Sequence, residues 1–365
     1  QFSRLCAVQR EAFAAIINCR TAPMGGHLEQ CDHCGYKMPV YNSCRNRHCP
    51  KCQYLKQEQW VDQLKSSLPP TRYFHLVFTI PHTLNKLFYI NQSVCYDLLF
   101  KAAWLALKQA ANNPSFLGAD TGCVALLHTW GQSLTYHPHI HMIVPAGGIS
   151  SDGMEWIRAS GKFFLPVKVL GKMFRGILCR MIAERIDMGH IRLPDDVDSF
   201  PLIRQQLYTR NWIVDCRKAF GGRTGVIQYL GRYTHRVAIN NSRLISMGNG
   251  KIRFRWKDYS NVRSGNKVME LKAGEFIRRF FQHILPKAFY KIRYYGILAS
   301  ANAKSKRVLL FDLLDKAPST GRLKGLTATQ ALEMLTGKNP LICPKCKQGL
   351  MTVANSIQPK LTTPL

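Results

Sequence analysis

A chain of mixed strands and helices with a small cysteine-dense module near its start is what this sequence predicts. Three observations carry it. The strand-like run CVALLHTWGQSL (123–134) is followed at once by a second, histidine-bearing one, which suggests an antiparallel pair. Long stretches at 84–112 and 166–185 have helical apolar spacing. Two CxxC pairs fall within residues 31–52.

The elements follow in order. LCAVQREAFAAIINC, from Leu5, has helical spacing, and a glycine-punctuated, ligand-dense stretch runs to about residue 53, before a polar helix at 54–67. Pro69-Pro70 marks a boundary. RYFHLVFTI (72–80), rich in aromatic and β-branched residues, reads as a strand, and the helical region 84–112 ends at the breaker NNP. In TYHPHIHMIV (135–144), side chains of an extended chain alternate, so His139 and His141 share a face and Ile140 takes the other. Pro138 cannot donate to a ladder, which starts the strand near His139 and leaves His137 at its mouth.

Further on, helices are expected at 166–185 and 199–210 and a strand at WIVDC (212–216). GVIQYLGRYTHR (225–236) has helical spacing despite Gly231. RLISM and KIRFRWKDY flank Gly248-Asn249-Gly250, a hairpin signal. Helices are expected at 273–284 and 301–315, and the tail after 338 carries the last CxxC and then reads as loose. The organisation expected is an N-terminal helix and metal module (1–68), a catalytic part with DNA-binding elements (69–320) and a tail with a last CxxC (321–365).

Composition narrows the partner. The 365 residues are 46% hydrophobic and 20% charged, as in a soluble globular protein, and no run of about eighteen apolar residues suggests a membrane span. Lys and Arg number 51 against 21 Asp and Glu, a net charge of +30, which makes polyanions the natural partners. The cations are spread along folded segments instead of one amphipathic helix, which favours nucleic acid over membrane. The thirteen cysteines fall in CxxC pairs or singly in apolar runs, metal-ligand usage in a reducing compartment, the cytoplasm. A chain that starts at Gln1, without methionine or secretory leader, reads as trimmed from something longer.

Four constellations carry chemistry. Cys31, Cys34, Cys49 and Cys52 form two CxxC pairs, the pattern of a tetrahedral zinc site, and Cys19, His27, Cys44 and His48 around them could supply a second. Cys343/Cys346 lacks a visible partner pair. His139 and His141 could chelate a divalent ion, but a third ligand is needed, with Gln132, His137, Gln228 and His235 as candidates. Tyr229 and Tyr233, four apart, would share one helical face, closely flanked by Arg232, His235 and Arg236. A tyrosine is a poor nucleophile at neutral pH unless a metal withdraws electron density from the phosphate it attacks. On one face of an extended 251–257 lie Lys251, Arg253, Arg255 and Lys257, placed to meet phosphate, while Ile252, Phe254 and Trp256 pack on the other.

The ordered set CDHCG, NSCRNRHCPKCQ, FTIPH, LLHTWGQ, YHPHIHMIVPAGGI, FFLPVKVL, YLGRYTHRVAI, FRWKDY and RYYGILA, spanning about residues 19–310, resembles the rolling-circle transposases of bacterial insertion sequences in the HUH endonuclease superfamily, two-tyrosine group. The resemblance implies an α+β fold of HUH type, an antiparallel central sheet flanked by helices, with a small N-terminal zinc-binding domain. It implies that His139-Ile140-His141 is the HUH motif holding Mg2+ or Mn2+, and that Tyr229 and Tyr233 are the nucleophiles. One would attack single-stranded insertion-sequence end DNA, giving a 5′-phosphotyrosine and a free 3′-OH, and the other would accept a strand later. Without a helicase motif, strand separation would fall to a host helicase, in the bacterial cytoplasm at the nucleoid. The competing expectations are a non-catalytic zinc-dependent DNA-binding protein and a metal nuclease using water.

Overall fold

The aromatic and β-branched runs gather into the middle of the molecule. The structure, a computed structural model, describes residues 5–159, 165–218, 225, 227, 231, 238–239, 241–258 and 265–360. Its strands are β1 (Gly26–Cys31), β2 (Lys37–Tyr41), β3 (Tyr73–Thr79), β4 (Gly122–Trp130), β5 (Tyr136–Pro145), β6 (Gly147–Ile149), β7 (Trp156–Arg158), β8 (Val214–Lys218), β9 (Leu244–Gly248), β10 (Lys251–Lys257), β11 (Asn266–Lys272), β12 (Ile292–Gly296) and β13 (Met351–Ile357). The helices are α1 (Ala7–Asn18), α2 (Tyr54–Ser67), α3 (Asn85–Ile90), α4 (Gln92–Asn112), α5 (Val167–Asp187) and α6 (Phe200–Tyr208), then those at Ala273–Phe281, Lys306–Leu313 and Ala328–Thr336.

The central sheet has the order β12-β4-β5-β3-β8, and every neighbouring pair is antiparallel. The expected α+β class, an antiparallel sheet flanked by helices, is what the chain adopts. Alternation gives the sheet two different faces. Leu76 and Phe78 of β3, Ala125 and Leu127 of β4, and Ile140, Met142 and Val144 of β5 join one core cluster with α4 and α5. Alanines 102, 103, 106 and 110 on α4 carry little side chain, so that helix can lie close to the sheet. The opposite face brings Tyr73, Val124, Leu126 and Ile143 together with Val61 and Leu64 of α2, with Ile227, and with Leu310.

The helical region expected at 84–112 is two helices. Asn91 (φ −123°, ψ 40°) breaks it: its Nδ2 donates to the Leu87 carbonyl at 2.9 Å and to the Arg192 carbonyl at 2.7 Å. An asparagine side chain that competes for backbone partners ends helices in this way. The hairpin β9–β10 turns through Asn249 (φ 50°) and Gly250 (φ 70°), both in the left-handed region a two-residue turn of type I′ requires. The segment after 338 is not loose throughout: β13 pairs antiparallel with β1, in a three-stranded sheet of order β13-β1-β2.

His283 pins the β4–β5 turn from beneath. It is 1% exposed, with Nδ1 3.1 Å from the Thr129 hydroxyl and Nε2 donating to the Leu134 carbonyl at 3.2 Å. Burial pushes its pKa down to about 4, although the bond to Leu134 opposes the shift. Between about 6.5 and 4 the unfolded chain binds a proton that the folded one refuses, so stability falls as pH falls through that window. This one group costs roughly 2 kcal/mol at pH 5. Melting curves at pH 7 and pH 5 should show a smaller acid-induced loss for His283→Gln than for the wild type. Equal losses would contradict the assignment.

Candidate metal centre and nucleic-acid surface

Three imidazoles converge on the face of the central sheet opposite α4. His139 and His141 point to the same side of β5, as alternation requires, and β4 lies antiparallel beside it with His128 directly opposite His139. The candidate ligand atoms of His128, His139 and His141 all lie within 4.8 Å of one another. Their ring centroids are 4.2 Å apart for His128 and His141, 4.8 Å for His139 and His141, and 5.4 Å for His128 and His139.

Neighbouring groups fix the rings. His139 Nδ1 donates to the His137 carbonyl at 2.7 Å, which turns Nε2 toward the cluster. His141 Nδ1 lies 2.8 Å from Nε2 of His75 on β3, with the two rings nearly parallel. Trp130 stacks on His128 at 4.8 Å. Burial holds all of these imidazoles neutral, the form that donates a lone pair to a metal. His139 and His75 are pushed down to about 4 by burial, against the hydrogen bond to the His137 carbonyl in the first and Asp215 in the second; His128 and His141 are pushed well below the ordinary histidine value by burial and then by neighbouring imidazoles. Lys291, whose carbonyl accepts from Leu127 of β4, is lowered to about 7 by burial and by Arg47.

A divalent ion fits this donor set. Three neutral imidazoles on two rigid strands leave coordination positions open for oxygen ligands, and an all-nitrogen set suits Mn2+ better than Mg2+, which prefers oxygen. Spacing alone does not mark His128 as a ligand, although it lies in the stretch LLHTWGQ. Its signal was the register, since a short turn from 131 to 135 brings the two strands into pairing. Of the third-ligand candidates, His137 stands outside the cluster and serves through its carbonyl. Gln132 sits in the β4–β5 turn, and Gln228 and His235 lie outside the described residues.

Tyr229, Tyr233, Arg232 and Arg236 also lie outside the described residues. Gly225, Ile227 and Gly231 are helical, and Ile227 is buried in the cluster on the histidine-bearing face of the sheet. Gly231 has a steric reason to be glycine: a Cβ there would stand 2.3 Å from Cγ2 of Val61 on α2. The row Lys251, Arg253, Arg255 and Lys257 is exposed on β10, and Ile252 and Phe254 are buried behind it. Glu270 of β11 meets Lys251 at 2.7 Å and Arg253 at 3.9 Å, so that half of the row is partly neutralised. Arg255 and Lys257 have no acidic partner among the described residues.

The cysteines group differently from the expected pairing. Cys31 and Cys34 meet Cys343 and Cys346, whereas Cys49 and Cys52 meet Cys19 and Cys44. The reason is the β1–β2 hairpin between them. Cys31 and Cys34 form its turn, while Cys44, Cys49 and Cys52 follow its open end, about 14 Å away along five residue pairs. His27 and His48 join neither group: His27 pairs with Glu29 at 3.0 Å, and His48 Nε2 accepts the Leu285 N–H at 3.1 Å. Both four-thiolate sets suit a structural zinc ion.

Comparison with known proteins finds two family matches along the chain. Residues 122–306 match the family described as "Putative transposase", and residues 1–80 match the family described as "Transposase zinc-binding domain". A protein of Sinorhizobium fredii named "Putative transposase y4qJ" is 42% identical, over 96% of this chain and 90% of its own length. The "Transposase for insertion sequence element IS801" of Pseudomonas savastanoi pv. phaseolicola is 29% identical, over 80% of this chain and 71% of its own. No solved structure matches. No described helix is long and apolar enough to cross a membrane. The chain belongs to the family of putative transposases whose model matches residues 122–306, and it carries a transposase zinc-binding domain at its start.

Proposed function

We propose that this transposase nicks and rejoins single-stranded DNA at the ends of its insertion sequence, through tyrosine attack on a phosphodiester held at the histidine centre. The observation that carries the reading is the convergence of His128, His139 and His141, neutral and fixed, on two central strands. Tyr229 and Tyr233 are the proposed nucleophiles, on their spacing and the family resemblance. The bound divalent ion, Mn2+ or Mg2+, would draw electron density from the phosphate and make its phosphorus open to attack.

The chain's own groups do the rest. The phenol oxygen of one tyrosine bonds to phosphorus and its proton passes to solvent. The bond from phosphorus to the 3′ oxygen breaks, leaving a free 3′-OH and a 5′-phosphotyrosine. The reverse attack, by a 3′-OH on that linkage, joins strands, and the second tyrosine lets a further strand be held meanwhile. His137 and His75 act as positioning residues for His139 and His141. Zinc on Cys19, Cys44, Cys49 and Cys52 orders the N-terminal module, and Arg232, Arg236, Lys251, Arg253, Arg255 and Lys257 contact DNA backbone. The place of action is the bacterial cytoplasm, at the nucleoid, with a host helicase separating strands. The parts expected at 1–68, 69–320 and 321–365 would divide these tasks.

Labelled single-stranded DNA from the element end, mixed with protein and Mn2+, should give an SDS-resistant adduct that Tyr229→Phe with Tyr233→Phe abolishes. Cleavage without an adduct would point instead to water as the nucleophile. His128→Ala should stop cleavage and leave zinc content unchanged, and His75→Ala should weaken Mn2+ binding by about 10- to 100-fold. Arg255→Ala and Lys257→Ala should each make the log–log salt dependence of binding shallower by about 0.7, and an unchanged slope would remove β10 from the DNA surface.

A further inference from the structure

The matched zinc-binding family covers residues 1–80, and the transposase family ends at 306. Cys343 and Cys346 lie beyond both, yet they stand against Cys31 and Cys34. Cys31 Sγ is 3.7 Å from Cys346 Sγ, and Cys34 Sγ is 3.8 Å from Cys343 Sγ. These pairs bridge segments 315 and 309 residues apart.

The two halves are built alike. In each, the residue after the second cysteine has a left-handed backbone, Gly35 at φ 69° and Lys347 at φ 61°. In each, that residue's N–H returns to the carbonyl of the first cysteine, at 3.1 Å for Gly35 to Cys31 and 3.0 Å for Lys347 to Cys343. Backbone N–H groups also point at sulfur: those of His33 and Cys34 at Cys31, and that of Gly349 at Cys346, all at 3.4 Å. Such donors favour thiolate, the form a metal binds. Cys343-Pro-Lys-Cys346 repeats the letters of Cys49-Pro-Lys-Cys52, which sits in the other four-thiolate cluster.

The surroundings are shaped for this approach. Asp32 N–H donates to the Leu350 carbonyl at 3.1 Å, and Leu350 N–H donates to Asp32 Oδ1 at 2.8 Å. A Cβ on Gly349 would stand 2.6 Å from Cys31 Sγ and 2.5 Å from Asp32 Oδ1, so only glycine lets the two segments close. From there β13 runs along β1, pairing Met351 with Cys31 and Ile357 with Gly26.

We propose that Cys31, Cys34, Cys343 and Cys346 hold a zinc ion of their own, and that this ion staples the segment 341–357 to the N-terminal hairpin as its third strand. The protein then carries two structural zinc ions, and its N-terminal module is complete only when chain more than 300 residues downstream has been made and docked. The inference stands apart from the tyrosine mechanism and survives its failure.

Elemental analysis of the purified full chain should find two zinc ions per molecule. Cys343→Ser with Cys346→Ser should retain one, as should Cys44→Ser with Cys52→Ser. One zinc in the wild type, or two in the first variant, would overturn the proposal. A second measurement needs no variant. Trypsin should cut slowly at Lys345 and Lys347 in the zinc-loaded chain and much faster after chelation, while equal rates would show that metal does not hold the segment.

Discussion

Strand β5 is buried on both faces from Ile140 to Pro145 and half-buried at His137 and His139, so its side chains are committed either to the α4-packed core or to the opposite face. Ile140, Met142 and Val144 take the first, and His139, His141 and Ile143 take the second. A slip of one residue would send the histidines into the apolar core and the aliphatic residues out of it, so the core fixes the register that assembles the imidazoles. His128 comes from the same constraint acting on β4, whose Ala125 and Leu127 face the core while Val124, Leu126 and His128 do not. The histidine cluster is therefore a by-product of packing and forms without any ion.

Neutrality follows from that burial. Imidazoles in water near neutral pH are partly protonated and compete poorly for a weakly held ion such as Mn2+. Placed on central strands beneath Trp130 and beside His75, they keep their lone pairs, and the hydrogen bonds at His139 Nδ1 and His141 Nδ1 leave Nε2 of each to act as ligand. The thiolate clusters solve the opposite problem. The three-stranded sheet β13-β1-β2 is small, and metal binding on the order of 10–16 kcal/mol would supply order that so little apolar burial cannot.

Local patterns were legible in the sequence, and long-range juxtapositions were not. Alternation alone placed His139 and His141 together and set Lys251, Arg253, Arg255 and Lys257 on one exposed face. It could not show Glu270 arriving across the strand pair to neutralise half that row. The CxxC pairs announced metal, but spacing treats nearby pairs as partners, and the β1–β2 hairpin carried Cys31 and Cys34 away from Cys49 and Cys52 toward cysteines over 300 residues distant. His128 was hidden for a related reason: a single histidine in an apolar run looks structural until strand register sets it opposite His139.

The central claim is that His128, His139 and His141 bind one divalent ion together. Electron spin-echo spectroscopy of Mn2+ added to the zinc-loaded full chain reads nitrogen ligands directly. The account predicts couplings from three imidazole nitrogens, reduced to two in His128→Ala. A spectrum of fully aquated Mn2+, or one unchanged by that substitution, would contradict it.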